Sequence, residues 1–147
     1  MPPETDEKTE ARQQRLPIFV YGTLRPGEKN YPRFLKGRTI AERRGSVEGR
    51  LYYVAEGGYP YLLPEPGRVW GELLELAAGS YAETLAALDG LEEYDPRNEP
   101  DSVYLRRQTL VTIEGEERVR AWVYYWNCPD VEGRLIPSGD FKDRSEG

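Results

Sequence analysis

Runs of apolar residues along the chain predict several strands in its first half. Residues 16–21 are apolar on both alternating faces, as expected for a strand that is buried on both sides. Two further strand patterns lie near residues 46–55 and 68–76. Three prolines separate these two stretches: Pro60, Pro64 and Pro66. Because proline cannot donate to a strand ladder, we expect them to break the segment between the two strands.

The second half of the chain predicts a hairpin. Residues 103–113 and 119–126 have strand patterns, and the turn signal Glu114-Gly115-Glu116-Glu117 lies between them. The last strand alternates small aliphatic residues with aromatic ones, namely Trp122, Tyr124 and Trp126. This aromatic face is typical either of core beneath a helix or of the wall of a cavity.

Two helices are predicted between these strands. Residues 30–37 form a short candidate with Asn30 as cap and Gly37 as stop. Residues 80–93 form a longer one, in which Ser80 and Glu83 have the spacing of a capping box. The pattern predicts an α+β fold in one domain: a curled, mixed or antiparallel, barrel-like sheet of about six or seven strands with two or three short helices. We expect the domain to span residues 16–141, with a disordered tail over 1–15 and a polar tail over 142–147.

Composition and charge exclude several classes of protein. The net charge of −6 speaks against a nucleic-acid partner, and we expect the pairs Arg43-Arg44 and Arg106-Arg107 to be solvated. No apolar run approaches the roughly 20 residues that a membrane helix needs, and the first residues lack the apolar segment of a secretory signal. A single cysteine, Cys128, excludes an internal disulfide. We therefore expect a cytoplasmic protein with no membrane partner.

The chain of 147 residues contains no histidine. This absence removes Ser-His and Cys-His nucleophile pairs and histidine as a general base. With one cysteine as well, we expect no metal site and no cofactor. Proton transfer would have to be carried out by glutamate, aspartate, lysine or tyrosine.

A carboxylate lies on the apolar side of the longer predicted helix. At about 100° per residue, the apolar stripe continues onto Glu92, whereas Glu93 is turned toward solvent. The stripe itself consists of Tyr81, Leu85 and Leu88. Burial and the negative end of the helix dipole would both raise the pKa of Glu92, which would suit a general acid/base near neutral pH. The alternative is that the helix frays near Gly90 and Glu92 turns into solvent.

The segment VYGTLRPGEKNY at residues 20–31 follows the first predicted strand. Its Gly, Pro and Gly suit an ordinary strand exit, and they equally suit a loop that grips a ligand. The glycine spacing matches neither the dinucleotide fingerprint nor the Walker loop, so nucleotide binding is unsupported.

Several stretches, taken in order, resemble the γ-glutamylcyclotransferase-like family of small mixed-sheet proteins. They are VYGTLRPGEKNY, GYPYL followed by VWGELLEL, LDGLEEY with YLRR downstream, and RAWVYYW followed by IPSGDF. Together they span about residues 17–141. Members of the family often have glycine where this chain has Glu93, and the segment from Tyr94 to Val103 looks longer than usual. Both departures bear on which substrate is bound, and not on which reaction is catalysed.

The resemblance implies a reaction and a set of site residues. The α-amine of a small γ-glutamyl amine or amide attacks its own γ-carbonyl, which releases 5-oxoproline and a free amine. Glu92 acts as the general acid/base. The glutamyl part of the substrate is held by Tyr21, Gly22, Thr23 and Leu24. We also expect pocket-lining roles for Tyr59, Pro60 and Tyr124. The identity of the leaving amine and the oligomeric state stay open, as do a non-catalytic ligand-binding module and a purely structural domain.

Overall fold

Five strands close into a barrel, and a sixth pairs with one of them. The computed structural model describes residues 15–114 and 117–144. The strands are β1 (Ile18–Val20), β2 (Thr39–Val54), β3 (Tyr59–Leu76), β4 (Tyr104–Ile113), β5 (Arg118–Trp126) and β6 (Arg134–Leu135). Their order is β3-β1-β5-β4-β2-β6, and β2 also pairs with β3, which closes the barrel. The pairing of β1 with β5 is parallel, and the other pairings are antiparallel. The predicted α+β fold with a barrel-like sheet is confirmed.

Parts of two predictions lie outside the described residues. These are residues 1–14 and 145–147 of the two tails, and residues 115–116 of the hairpin turn. The strands on either side of that turn agree with the predicted hairpin, because Tyr104 pairs with Trp126 and Thr112 pairs with Arg118.

The prediction that prolines break the segment before residue 68 is wrong. Strand β3 runs through all three prolines and forms a long hairpin with β2. One interruption of the ladder lies between the pairs Arg50–Leu63 and Glu48–Arg68, so residues 64–67 bulge out of the pairing. Pro64 and Pro66 lie in this bulge, where no ladder hydrogen bond is required of them.

Two α-helices and three 3₁₀ turns complete the described structure. Helix α1 covers Tyr31–Phe34 and helix α2 covers Tyr81–Leu91; the 3₁₀ turns cover Ala78–Ser80, Glu99–Asp101 and Phe141–Asp143. The predicted capping box is wrong, because the Ser80 side chain makes no cap hydrogen bond. Ser80 ends a 3₁₀ turn with ψ of 15°, which differs from the extended backbone that N-cap residues usually adopt. No helix within the described ranges is long and apolar enough to cross a membrane.

The two faces of the sheet pack into two apolar clusters. One draws on all five barrel strands and includes Phe19, Val47, Val69, Val111 and Val123. The other packs both helices against the sheet and includes Ile18, Leu35, Leu74, Leu88 and Tyr124. Because neighbouring residues of a strand point to opposite faces, β5 contributes Ala121 and Val123 to the first cluster and Trp122, Tyr124 and Trp126 to the second. This packing holds the end of α2 beside the end of β1.

Candidate active site

A cavity of about 270 Å³ lies where the end of β1 meets the end of α2. The loop after β1 supplies one wall, and the end of α2 supplies another. Its lining contains every site residue predicted from the sequence: Tyr21, Gly22, Thr23, Leu24, Tyr59, Pro60, Glu92 and Tyr124. Lys29, Glu93, Val103 and Tyr104 line it as well.

Local hydrogen bonds fix the loop after β1. Pro26 and Gly27 occupy the centre of a tight turn, which is closed by the Glu28 N–H donating to the Arg25 carbonyl oxygen at 2.9 Å. Gly27 has φ of +91°, as the third position of a type II turn requires. Asn30 then joins the two ends of the loop, because its side-chain amide donates to the Thr23 hydroxyl at 2.9 Å and its N–H donates to the Thr23 carbonyl oxygen.

The loop offers a row of backbone donors at the cavity wall. Within the described residues, the N–H groups of Gly22, Thr23 and Leu24 have no hydrogen-bond acceptor. Consecutive free N–H groups in a turn can hold an anion such as a carboxylate. Gly22 is required there for space, since a Cβ at this position would collide with the ring of Pro60.

Glu92 lies at the C-cap of α2, and the helix does not fray before it. Its N–H still donates to the Leu88 carbonyl oxygen at 2.9 Å. In the part of the chain that the structure describes, no hydrogen bond or ion pair reaches the Glu92 carboxyl group. Burial raises the pKa of Glu92 to about 8, and the negative charge of Glu93 adds to the shift. The group can therefore gain or lose a proton near neutral pH.

Glu93 ends the helix in a conformation that normally belongs to glycine. Its φ is +52°, in the left-handed region. Its N–H donates to the Gly90 carbonyl oxygen at 3.2 Å, and the Tyr94 N–H donates to the Asp89 carbonyl oxygen at 2.9 Å. These two bonds form a Schellman motif, in which glycine is the usual residue at this position. The departure noted in the sequence is thus a strained helix end whose side chain lies at the cavity.

The tyrosines of the cavity wall are neutral and held in place. The Tyr21 hydroxyl donates to the Tyr124 carbonyl oxygen at 2.6 Å, and the Tyr104 hydroxyl donates to the Pro60 carbonyl oxygen at 2.7 Å. Burial, followed by nearby negative charge, raises the pKa of the Tyr21, Tyr104 and Tyr124 hydroxyls, and Glu92 contributes to each shift.

Asp89 and Arg106 support the wall, and the sequence did not reveal this role. Asp89 accepts from the Tyr124 hydroxyl at 2.6 Å and from Arg106 Nε at 2.9 Å. The guanidinium of Arg106 also lies 4.4 Å from the centre of the Trp122 ring. The prediction that Arg106 is solvated is wrong, since its side chain is only 16% exposed. The available signal was Asp89, three residues before Glu92 and on the edge of the same helical stripe.

The described residues contain no group of three or more histidine, cysteine, aspartate or glutamate side chains that could hold a metal ion. The arrangement therefore consists of a proton-exchanging carboxyl group, a row of backbone donors and neutral tyrosines.

Comparison with known proteins decides the family. The family model described as "Gamma-glutamyl cyclotransferase, AIG2-like" matches residues 18–143. The chain belongs to this family. Membership supports an enzyme of the γ-glutamyl cyclotransferase type.

Relatives from distant organisms agree with membership of the γ-glutamyl cyclotransferase family. The γ-L-glutamyl-butirosin B γ-glutamyl cyclotransferase of Niallia circulans is 36% identical over 113 residues, which cover 77% of this chain and 68% of that protein. A putative γ-glutamylcyclotransferase of Methanocaldococcus jannaschii is 29% identical over 126 residues, covering 86% and 95% of the two chains.

Solved structures of similar proteins share the fold. An AIG2-like protein from Mus musculus has a TM-score of 0.66 at 27% identity, with 90% of each chain covered. The protein ytfP from Escherichia coli has a TM-score of 0.60 at 30% identity, with 89% of this chain and 100% of that chain covered.

Proposed function

We propose that the protein is a cofactor-independent γ-glutamyl cyclotransferase that acts on a small γ-glutamyl amine or amide. The substrate's α-amine forms a new bond to its own γ-carbonyl carbon, and the bond from that carbon to the leaving nitrogen breaks. A proton passes from the attacking amine to Glu92 and then to the leaving nitrogen. The products are 5-oxoproline and a free amine.

One observation carries the proposal: Glu92 and the loop at Gly22 line the same cavity. A base in this reaction must first accept a proton and then return it, which requires a pKa near the working pH. The raised pKa of Glu92, about 8, fits that requirement. The carboxyl group also has no partner within the described residues that would hold it in one protonation state.

The loop supplies the second requirement, a fixed position for the glutamyl part. We assign the free N–H groups of Gly22, Thr23 and Leu24 to the substrate's α-carboxylate. Because the nucleophile belongs to the substrate, no serine, cysteine or histidine is needed. Well-oriented intramolecular reactions reach effective molarities on the order of 10⁵ M or more, so holding the folded substrate contributes much of the rate.

The name of the Niallia circulans relative supports a γ-glutamyl substrate, since that protein is named for γ-L-glutamyl-butirosin B. The cavity itself speaks against the purely structural alternative, which would be favoured by a fold in which no cavity joins Gly22 to Glu92.

The test is release of 5-oxoproline from a panel of γ-glutamyl amines. Glu92→Gln keeps the shape of the side chain but cannot exchange a proton, so we expect a loss of at least about 10²-fold in kcat. Glu83→Gln is the matched control, because Glu83 is an exposed carboxylate at the other end of α2 and should leave the rate unchanged. Full activity of Glu92→Gln would contradict the assignment. Binding of 5-oxoproline with no turnover of any substrate by the wild type would favour the non-catalytic alternative.

A further inference from the structure

The side chain of Asp89 joins helix α2 to two neighbouring strands of the barrel. Arg106 on β4 and Tyr124 on β5 are direct partners in the strand register, so their side chains lie on the same face of the sheet. Asp89 Oδ1 accepts from both of them, and its Oδ2 accepts from Arg106 Nη2 at 3.3 Å. The ring centres of Trp122 and Tyr94 lie 4.4 Å and 5.6 Å from the guanidinium carbon of Arg106. Asp89 is thus fixed from several directions, and the proposed chemistry does not use it.

The hydroxyl proton of Tyr124 is committed to this carboxylate. A tyrosine hydroxyl can donate one hydrogen bond and can also accept. A carboxylate paired with arginine only accepts, so the proton of the 2.6 Å contact comes from Tyr124. No donor within residues 15–114 and 117–144 reaches the Tyr124 hydroxyl oxygen. Any further hydrogen bond at this oxygen must therefore be one in which it accepts.

Tyr124 separates the cavity from Asp89. It is buried and lines the cavity, whereas Asp89 and Arg106 line a separate groove beside α2. Burial and the charge of Asp89 raise the pKa of Tyr124 most, and the charge of Glu92 adds to the shift, so Glu92 lies close enough to interact with the hydroxyl. Tyr124 therefore stays neutral and offers an acceptor near Glu92, with its direction set by Asp89.

We propose that Asp89 is a positioning residue for the cyclisation: by holding the proton of Tyr124, it keeps the Tyr124 hydroxyl as an acceptor for the attacking α-amine. The amine gives one proton to Glu92, and a second N–H must be held so that the nitrogen lone pair points at the γ-carbonyl carbon. A neutral hydroxyl can hold this N–H without removing its proton. The inference rests on the proposed cyclotransferase function and adds a residue to it.

Loss of Asp89 has a second consequence, which a purely structural role would not have. Without its acceptor, the Tyr124 hydroxyl can turn its proton toward ionised Glu92, and a hydrogen bond to a carboxylate lowers its pKa. Other charged or titratable side chains of the cavity lining also face Glu92: Tyr21, Lys29, Tyr59, Glu93 and Tyr104. The test leaves all of these unchanged.

Two variants separate the acceptor at position 89 from its charge. Asp89→Leu removes both, whereas Asp89→Asn removes the charge and keeps an oxygen that can accept from Tyr124. The assay uses the γ-glutamyl amine of the panel that the wild type turns over fastest. We expect kcat/KM to fall at least about 10-fold in Asp89→Leu and in Tyr124→Phe, but no more than about threefold in Asp89→Asn. Glu83→Gln should keep the wild-type rate.

The pH profile and a double-mutant cycle show whether Asp89 acts through Tyr124. The acid limb of kcat/KM should lie at lower pH in Asp89→Leu than in Asp89→Asn, and its position does not depend on how much of the sample is folded. In the Tyr124→Phe background, Asp89→Leu should lower kcat/KM by less than about threefold, because the hydroxyl it would orient is already gone.

The outcomes separate the two proposals. Independent effects of Asp89→Leu and Tyr124→Phe, equal losses in Asp89→Leu and Asp89→Asn, or acid limbs at the same pH in these two variants would overturn the inference while the cyclotransferase function stands. Failure of the wild type to release 5-oxoproline from any γ-glutamyl amine would contradict the function, and the inference with it.

Discussion

Carboxylates at two places near the loop after β1 differ in whether they have a cationic partner. Arg25 is 8% exposed, and it binds Glu72 through Nε at 2.7 Å and Asp140 through Nη1 at 2.7 Å. Burial alone would raise the pKa of Asp140, but the hydrogen bonds from Arg25 and from the Lys142 N–H lower it below its usual value. Glu92 has no such partner among the described residues, and its pKa rises to about 8.

The difference shows how one fold gives carboxylates separate tasks. A buried carboxylate with a cationic partner keeps its charge, and the pair fixes the geometry of the chain around it. A buried carboxylate without a partner is free to change its protonation state, which is what proton transfer requires. Arg25 thus anchors the loop that carries Gly22, and Glu92 lines the same cavity with its proton available.

The largest expected effect comes from breaking the paired site. Arg25→Met would remove the cation that joins Glu72 to Asp140, leaving Asp140 only its longer contacts with Arg44 at 3.4 Å and Lys142 at 3.7 Å. We expect the free energy of unfolding to fall by about 3–5 kcal/mol. Urea denaturation of the variant and the wild type at pH 7 measures this change in the free energy of unfolding.

Arg43→Met is the matched control for that variant, because the Arg43–Glu117 pair is exposed, with side chains 45% and 58% accessible. This substitution should lower the free energy of unfolding by less than about 1 kcal/mol. Equal effects of the two substitutions would show that the buried cluster contributes no more than a surface ion pair.

An effect of opposite sign, confined to high pH, is expected at the unpaired site. The pKa of Glu92 is about 8 in the folded protein and near 4.5 in the unfolded chain, so wild-type stability is lost as pH rises from 4.5 through 8. Glu92→Gln removes this loss. We expect the variant to be more stable than wild type by up to about 4–5 kcal/mol at pH 9, with the gain disappearing toward pH 4.5.

Thermal or urea unfolding of both proteins across this pH range measures the effect. A constant difference at all pH values would mean that the carboxyl group is not perturbed by the fold. A variant less stable than wild type at pH 9 would mean that the carboxylate has a partner after all.

The smallest effect concerns the helix end beside Glu92. Glu93→Gly relieves the left-handed backbone and should stabilise the protein by about 1 kcal/mol. It also removes a negative charge, which lowers the pKa of Glu92. If ionised Glu92 is the base, kcat/KM falls as pH drops below about 8, and this acid limb should move to lower pH in the variant.

Glu93→Ala separates the two consequences, because alanine removes the charge but keeps the Cβ. It should move the acid limb as glycine does without adding stability. A gain in stability for both variants would assign the effect to charge rather than to backbone conformation.

Sequence patterns predicted the elements that depend on the spacing of apolar residues along the chain. The period of the apolar stripe gave helix α2 and placed Glu92 on its buried side, and alternation gave β4 and β5. Features that depend on the register of strand pairing were not predicted. The bulge at residues 64–67 exists because β2 and β3 pair on both sides of it, and no local signal encodes that pairing.

The same limit applies to the buried ion pairs. Arg25 and Asp140 lie 115 positions apart in the chain, and their types predict solvated residues when each is considered alone. Asp140 also makes a local contact, accepting from the Lys142 N–H at 3.1 Å. Its contact with Arg25 arises from the closing of the barrel.

The closed barrel makes the candidate site indivisible. Its walls come from the loop after β1, the start of β3, the end of α2 and strands β4 and β5, and these segments meet only when β1 lies between β3 and β5. A cut in the chain between residues 24 and 124 separates at least two of these walls into different pieces. Such a protein can be divided and still function only if its pieces reassemble the whole ring of strands.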